Sequence, residues 1–451
     1  MESSLRQYIE LYSDNKALID AGSCEPMNRM RPLALQRLEQ HGLPSRKVEE
    51  YKYTDIEQVL APDYGVNLRR LAIGADPYQA YKCSVPGLGT SLYYMMGDRL
   101  CPARKDQPVL PDGVYVGSMT DFAARYPEQL AEHYGRLAQT EQDSLTALNT
   151  LLAQDGVVIR VAPGVKLDNA IQVVNLGKSD IDLMTNRRVM VIIGDGAIAT
   201  LLFCDHNLDR SRYLTTQVGE VFVGKGASLS LCEIEETHSG NTLIDNTYIA
   251  QQAGSRIDVG YFTLHGGVTR RMLRQAFEGE GAEAKVYGGV IGDGTQHTDT
   301  NLLIDHRRGK CKSDVLYKYV LDGQSVGAFA GKVLVRKDAQ RTDSQETNAN
   351  LCVSPQARMY TQPMLEIYAD DVKCNHGSTV GRLDNQALLY MAQRGIPEDE
   401  ANLLLQQAFL DEAIRHITLE PLRERLTQMA ERRFRYKLKS CEGCDLCAQK
   451  R

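Results

Sequence analysis

The sequence of 451 residues contains no tryptophan and no long uninterrupted run of apolar residues. A membrane-spanning helix needs about 20 consecutive apolar residues, so none is predicted. The N-terminal residues 1–20 are polar and lack the apolar stretch of a secretory signal peptide. A strong charge of one sign is missing too, because the net charge is only −6. Nucleic acid and anionic membranes are therefore not expected as main partners. Because neither a signal peptide nor a membrane span is predicted, we expect a cytoplasmic protein.

The eleven cysteines are unevenly distributed along the chain. Eight are scattered, and in a reducing compartment we expect small buried thiols there rather than disulfides. The other three, Cys441, Cys444 and Cys447, form a C-x-x-C-x-x-C run near the C-terminus. This spacing is similar to the first three ligands of a bacterial ferredoxin motif, but the fourth cysteine is missing. The run is either a metal or cluster site or a set of exposed thiols.

Hydrophobic spacing divides the chain into five predicted parts. Near its middle, one helix is predicted at Asp121–Ala138 and another at Asp143–Ala153. The predicted parts are an N-terminal helical region (1–75), a mixed α/β connecting region (76–155), a β-helix core (156–383), a C-terminal helical domain (384–436) and a cysteine-rich tail (437–451).

From Gly156 onward, short runs of β-branched residues alternate with glycine-rich turns. The turns recur at intervals of 27 to 30 residues, beginning at Gly194, Gly224, Gln252 and Gly279, with weaker ones at Arg308 and Lys337. Repeats of this length are typical of a β-solenoid, in which each coil completes its core by stacking on the next. An antiparallel sandwich is the alternative, but its turns usually recur about every 8–12 residues. The pattern predicts a mainly β fold with a solenoid core.

Signatures of catalysis are missing from the sequence. Gly327–Val333 resembles a phosphate-binding loop only superficially, because it lacks the glycine spacing and the Ser or Thr after its lysine. There is no G-x-S-x-G elbow and no H-E-x-x-H pair. Glu233, Glu235, Glu236 and His238 could serve acid–base chemistry, but we interpret them as a solvated strand edge.

The most informative local feature is the segment Asp370–Gly377, which reads D-D-V-K-C-N-H-G. If it forms a strand, Cys374 and His376 point to one face and lie about 6–7 Å apart. A thiolate and an imidazole on one face suit Zn²⁺ or iron. Two ligands are only half a site, since a cluster usually takes about four. Either the site borrows ligands from another chain, or the pair is structural.

The segment Leu365–Gly377 resembles the signature of the SufB/SufD family of iron–sulfur cluster assembly proteins, and more closely that of its SufD branch. The resemblance extends over about residues 40–435. Further matches follow in the same order: Gly42–Ser45 with Glu49–Thr54, Asp143–Asn149, Gly331–Val333 with Ala339–Asp343, and Arg394–Ile396.

This resemblance implies a right-handed parallel β-helix that acts as a scaffold and not as an enzyme. It implies a SufC-type ABC ATPase docked on the C-terminal helices, and a SufB-type chain or a second SufD copy on the β-helix. A transient iron–sulfur cluster is then expected at the SufB–SufD contact, with His376 as a ligand and Cys374 beside it. A reduced flavin on the complex is compatible with the resemblance.

Departures from the pattern favour the SufD branch. Pro363 stands where SufB carries its sulfur-accepting cysteine, and Cys374–His376 replaces the Glu-His-Glu run of SufB. Tyr51 stands where the SufD motif usually has tryptophan, and Gln362 and Met364 replace the usual lysine and glutamine. Two other functions stay open: a SufB-like scaffold that carries the cluster alone, and a polysaccharide-active β-helix enzyme. The latter needs clustered carboxylates on one exposed face, and the sequence shows no obvious ladder of them.

Overall fold

The predicted fold class is confirmed: a β-solenoid of eight coils forms the centre of the molecule, and helices flank it on both sides. The computed structural model describes residues 4–71, 74–81, 85, 87–104 and 109–436. Within these ranges no helix is long and apolar enough to cross a membrane. The three tail cysteines, Cys441, Cys444 and Cys447, lie outside the described residues, so their role stays a prediction.

The elements before the solenoid are mostly short helices. They are α1 (Leu5–Ala21), α2 (Glu25–His41), a 3-10 turn (Glu49–Tyr51), α3 (Ile56–Leu60), β1 (Gly65–Val66), α4 (Pro77–Ala80), β2 (Thr90–Met96), β3 (Arg99–Leu100), β4 (Val114–Ser118), α5 (Met119–Arg125), α6 (Pro127–His133) and α7 (Ser144–Leu152). The helix predicted at Asp143–Ala153 corresponds to α7, and Asp143 caps it by accepting a hydrogen bond from the Thr146 N–H.

The single helix predicted at Asp121–Ala138 is wrong in extent, because the chain forms two helices there, α5 and α6. The break falls at Tyr126, whose backbone has φ −136° and ψ 56° and lies outside the helical region. Tyr126 precedes Pro127, and the ring of a proline disfavours helical geometry in the residue before it.

The solenoid itself consists of sixteen strands, two in each coil. They are β5 (Gly156–Val161), β6 (Ala170–Gly177), β7 (Leu183–Ile193), β8 (Ile198–Asn207), β9 (Tyr213–Val223), β10 (Ser228–Glu236), β11 (Thr242–Gln251), β12 (Arg256–His265), β13 (Val268–Phe277), β14 (Glu283–Gly292), β15 (His297–His306), β16 (Lys312–Leu321), β17 (Val326–Val335), β18 (Thr342–Cys352), β19 (Arg358–Ile367) and β20 (Val372–Gly381). The odd-numbered strands stack in parallel into one sheet, the odd sheet, and the even-numbered strands form the even sheet. At the start, β2 extends the even sheet and β4 extends the odd sheet.

Tight turns join the two strands of each of the six inner coils, and they coincide with the turns read from the sequence. In the first four of these turns the third residue has a positive φ: 66° at Gly196, 62° at Gly226, 65° at Gly254 and 66° at Gly281. Glycine suits this position because it has no Cβ to clash with the backbone. In the next turn Lys310 takes the same conformation, with φ 62°.

Alternate side chains of the strands point into the solenoid and form its main apolar core. Val191 and Val221 of the odd sheet meet Leu201, Leu231 and Val259 of the even sheet, and each is at most 2% exposed. Burying one such side chain contributes roughly 1.5–3 kcal/mol. The core runs continuously along the solenoid, so each coil depends on its neighbours.

Three helices follow the solenoid: α8 (Asn385–Gln393), α9 (Glu398–Ile414) and α10 (Glu420–Tyr436). The second and third pack on the outer face of the even sheet, where Leu410 and Ile414 contact the cluster that includes Phe262 and Tyr287. Gly289 permits this approach, because a Cβ there would lie 2.8 Å from Leu410. Helix α8 differs, since none of its residues is buried.

One cluster inside the solenoid is charged. The Arg271 Nη1 atom lies 2.9 Å from the Glu233 carboxylate and 2.7 Å from that of Asp245, and Nη2 lies 3.9 Å from Glu235. All four side chains are buried. The interpretation of Glu233 and Glu235 as a solvated strand edge is therefore wrong. The alternation of β10 turns both of them inward and leaves Glu236 on the outer face, where it is partly exposed.

Burial raises the pKa of Glu233 to about 8 and the pKa of Glu235 to about 7. Three carboxylates share one guanidinium, so its positive charge does not compensate all of them. Since both pKa values lie above those of the unfolded chain, folding takes up protons near neutral pH.

We predict that Glu235→Gln stabilises the protein at pH 8. The stability associated with a raised carboxyl pKa is present below the unfolded value and is lost as pH rises through about 7, the folded value. Removing the ionisable group should therefore raise the unfolding free energy at pH 8 by roughly 2 kcal/mol and change little at pH 5. Thermal denaturation at both pH values measures this, with the exposed Glu128→Gln as control. An equal pH dependence in wild type and Glu235→Gln would contradict the prediction.

Candidate functional site

The last coil, formed by β19 and β20, ends the solenoid without a further strand. In the described chain β19 pairs only with β17, and β20 pairs only with β18. Every residue of β20 is exposed or half-buried, whereas the strands of the inner coils are mostly buried. We call this coil the open end of the solenoid. Its outer edges present main-chain donors and acceptors that no other described strand pairs with.

Cys374 and His376 lie two residues apart on β20, as the sequence predicted for a strand. Cys374 is half-buried and packs against the interior core, so this face of β20 points inward. Burial raises the pKa of the Cys374 thiol. His376 lies on the same face but is exposed, because no coil covers it. The two side chains share a face, and their role as ligands stays a prediction.

The inner side of the open end is lined with polar groups. The Thr361 hydroxyl lies 2.6 Å from the Ser378 hydroxyl and donates to the Asn348 side chain at 2.8 Å. Asn348 and Asn350 exchange side-chain hydrogen bonds of 3.1 Å and 2.6 Å. These contacts join the last two coils across the interior, and they satisfy their own polar groups without a metal.

Glu346 is a further residue of this region, and sequence reasoning did not identify it. It lies on β18 directly beside His376 in the strand register, and only 1% of its surface is exposed. Its Oε1 atom has no hydrogen-bond partner among the described residues. Burial raises the pKa of Glu346 to about 7. Thirty positions separate Glu346 from His376 in the chain, so only the stacking of coils brings them together.

No three His, Cys, Asp or Glu side chains of the described residues stand close enough to hold a metal ion together. Among the described residues, Cys374 and His376 thus have no third side chain of these types close enough to complete a metal site, and whether they bind a metal stays a prediction.

The segment Glu49–Thr54, part of the N-terminal match, reaches the open end. The Gln362 side-chain amide donates to Glu49 at 3.0 Å, and the Tyr53 ring stacks on Tyr360 with centroids 5.0 Å apart. Thr54 donates to Asp299 on the outer face of the odd sheet at 2.6 Å. Gln362, which differs from the lysine usual in the SufD motif, thus links this segment to the last coil by a hydrogen bond.

Tyr51, at the position where the motif usually has tryptophan, is a buried structural residue. Its hydroxyl hydrogen-bonds Asp143, and the Arg270 guanidinium lies 3.9 Å from its ring centroid. Cation–π contact and burial explain an aromatic residue here.

The sequence segment that resembled a phosphate-binding loop is not a loop. Gly327–Val333 lies within strand β17, so it lacks the strand-to-helix turn that would surround a phosphate group. Pro363 lies on β19 beside Gly331.

Comparison with known proteins identifies the family. The model of the SUF system FeS cluster assembly, SufBD core domain matches residues 175–409, and that of the SufBD protein N-terminal region matches residues 2–173. The core match begins within β6 and ends within α9, so it contains both Cys374 and His376.

Several relatives match over most of the chain. An iron–sulfur cluster assembly SufBD family protein of Synechocystis is 28% identical, over 86% of each chain. The iron–sulfur cluster assembly protein SufD of Escherichia coli is 28% identical, over 87% of this chain and 89% of its own. The protein of that name from Bacillus subtilis is 24% identical, over 90% and 94%. With both family models matched and a solenoid between helical flanks, this chain belongs to the SufBD family of iron–sulfur cluster assembly proteins.

Proposed function

We propose that this chain is a SufD-type scaffold subunit and that a nascent iron–sulfur cluster forms where its open end meets a SufB-type subunit. Its membership of the family and the relatives named SufD support this role. The main support for the proposal is the open end. There His376 and Cys374 share one face of β20, and no third side chain of the described residues completes a metal site with them.

The open end has the properties of a subunit interface. Its apolar side chains Tyr360, Ile367, Tyr368 and Val380 are each at least 40% exposed. An exposed strand edge invites pairing with another chain, and proteins usually cover such edges. A second β-helix fits this end best, because its own last coil can extend both sheets by main-chain hydrogen bonds. The partner is a SufB-type chain or a second copy of this chain.

The same contact would complete the cluster site. Iron accepts imidazole nitrogen and thiolate sulfur, and a cluster usually takes about four protein ligands. His376 is exposed at the contact and can turn toward a partner without disturbing the core. The remaining ligands come from the SufB-type subunit, and the cluster is cargo that the complex later passes on.

Helix α8 is the proposed docking element for a SufC-type ATPase. Leu389 is 61% exposed and Tyr390 58%, although both are large and apolar. Helices α9 and α10 instead bury apolar residues such as Leu410, Ile414 and Leu426 against the even sheet. Exposed apolar anchors on one helix suit insertion into a groove of a partner. ATP is hydrolysed by that partner, since this chain has no phosphate-binding loop in its sequence.

A polysaccharide-active enzyme is disfavoured as the alternative. The carboxylates that could have formed its site, Glu233 and Glu235, point into the solenoid and pair with Arg271. A sugar chain bound along an outer face would not reach them.

For the cluster site, we predict that His376→Ala leaves the protein folded and the complex assembled but abolishes cluster maturation in vivo. The side chain is exposed, so its removal should lower the melting temperature by less than about 2 °C. Cys374→Ala should have a weaker effect. Asn375→Ala, exposed on the opposite face of the same strand, is the matched control. Normal maturation with His376→Ala, or loss of the complex, would reject the role as ligand.

For the docking element, we predict that Leu389→Ala with Tyr390→Ala weakens binding of a SufC-type ATPase at least about tenfold, the size expected when apolar anchors are removed. The melting temperature should stay unchanged, because neither side chain is buried. Ile181→Ala, which removes an equally exposed apolar side chain at 61%, is the control. Titration calorimetry with the purified ATPase measures the affinity. Unchanged affinity would exclude α8 as the docking element.

A further inference from the structure

We propose that Glu346 supplies an oxygen ligand for Fe²⁺ at the open end, so that this one chain offers a carboxylate, an imidazole and a thiol to the same ion. The inference rests on the proposed function, because it takes His376 as an iron ligand. It adds a third donor, from the coil below, to the pair on the last strand.

The strand register places the donors together. Glu346 of β18 is the direct neighbour of His376 on β20, and Ser344 is the direct neighbour of Cys374. Neighbouring strands lie about 4.7–4.9 Å apart, and side chains at matched positions point to the same face. The carboxylate therefore starts directly beneath the imidazole, and the thiol lies two residues along the same face.

The coil below offers Glu346 no partner. Its register neighbour there is Val315, which is fully buried. Across the interior, Leu302 lies in the same lower coil and is 2% exposed. Burial of a carboxylate without a compensating partner is unfavourable. The register neighbour on the other side is His376, so the group that the carboxylate lacks must approach from the open end.

Gly331 makes room for the carboxylate. A Cβ at this position would lie 2.3 Å from Glu346 Oε1, so any other residue would displace the side chain. Gly331 belongs to β17 and is followed in the last coil by Pro363. The Glu346 side chain thus reaches across the interior from the even sheet to the odd sheet and occupies the space that the glycine leaves.

A carboxylate with an imidazole and a thiol suits a divalent transition metal better than Mg²⁺ or Ca²⁺, which prefer oxygen ligands alone. In a cluster assembly protein the fitting ion is Fe²⁺. The three side chains are not at ligand distances from one another in the metal-free chain. His376 is exposed, so rotation about its side-chain bonds can bring the ring over the carboxylate. Water or a partner residue would complete the coordination.

The test is an anaerobic titration of the full chain with Co²⁺, whose visible absorption bands report imidazole and thiolate ligation. Every variant carries Cys441→Ser, Cys444→Ser and Cys447→Ser, so that the tail thiols cannot contribute to Co²⁺ binding. We expect Glu346→Gln to weaken Co²⁺ binding at least tenfold and His376→Ala to weaken it similarly. Glu366→Gln, at a half-buried glutamate of β19 that pairs with Lys332, is the control and should bind normally.

Folding is checked separately for each variant. Glu346→Gln keeps the shape of the side chain and removes its charge, so its melting temperature should equal or exceed that of the parent. If this variant does not fold, Glu346→Met fills the same space with an apolar side chain and should show the same loss of Co²⁺ binding.

The outcomes separate this inference from the proposed function. Wild-type Co²⁺ affinity in Glu346→Gln together with loss in His376→Ala overturns the role of Glu346 and leaves His376 as a ligand. A parent chain that binds no Co²⁺ also overturns it, while the maturation test of His376→Ala still decides the proposed function. Unchanged Co²⁺ binding in both variants overturns the role of Glu346, because the ion then binds elsewhere on the chain, while the maturation test of His376→Ala again decides the proposed function.

Discussion

Stacking of one coil on the next determines the rest of this structure. Each inner coil has its main-chain groups paired on both sides and its apolar side chains covered by neighbours. At the start of the solenoid, β4 pairs with β5 and helices cover the first coil. At the other end β19 and β20 have no following coil, so their outer main-chain groups are unpaired and their inner side chains are uncovered by any described residue. A partner that pairs with these strands would also contact Cys374 and His376, because both lie on β20.

The solenoid interior is where this chain departs from a purely apolar core. Arg271 and its three carboxylates are fully enclosed, and their mutual attraction compensates part of the cost of burying charge. Glu346 is also enclosed, but no described residue compensates its charge. The difference between the two sites is their position: the first lies in the middle of the solenoid and the second lies one coil below its open end. Glu346 is proposed as a ligand because its carboxylate is buried, has an oxygen without a hydrogen-bond partner, and lies beside His376.

The fold could be predicted because its signal is periodic. Turns at a regular interval marked the six inner coils correctly, including the turn in which Lys310 replaces glycine. Helical spacing alone does not predict the break between α5 and α6, because the break depends on the effect of Pro127 on the backbone of Tyr126. The direction of Glu233 and Glu235 was missed because alternation alone does not say which face of a strand is inside. Glu346 could not be found at all, since its relation to His376 depends on the register between coils.

We propose that another β-helix subunit covers the open end. Hydrogen exchange of the backbone amides of Val372–Gly381, measured with the chain alone and in complex with a SufB-type subunit, tests it most directly. If a second β-helix pairs with the open end, exchange in this segment slows at least about tenfold in the complex, while exchange in Gly156–Val161 of the first coil stays the same. A stable complex in which the exchange of Val372–Gly381 is unchanged would contradict the account.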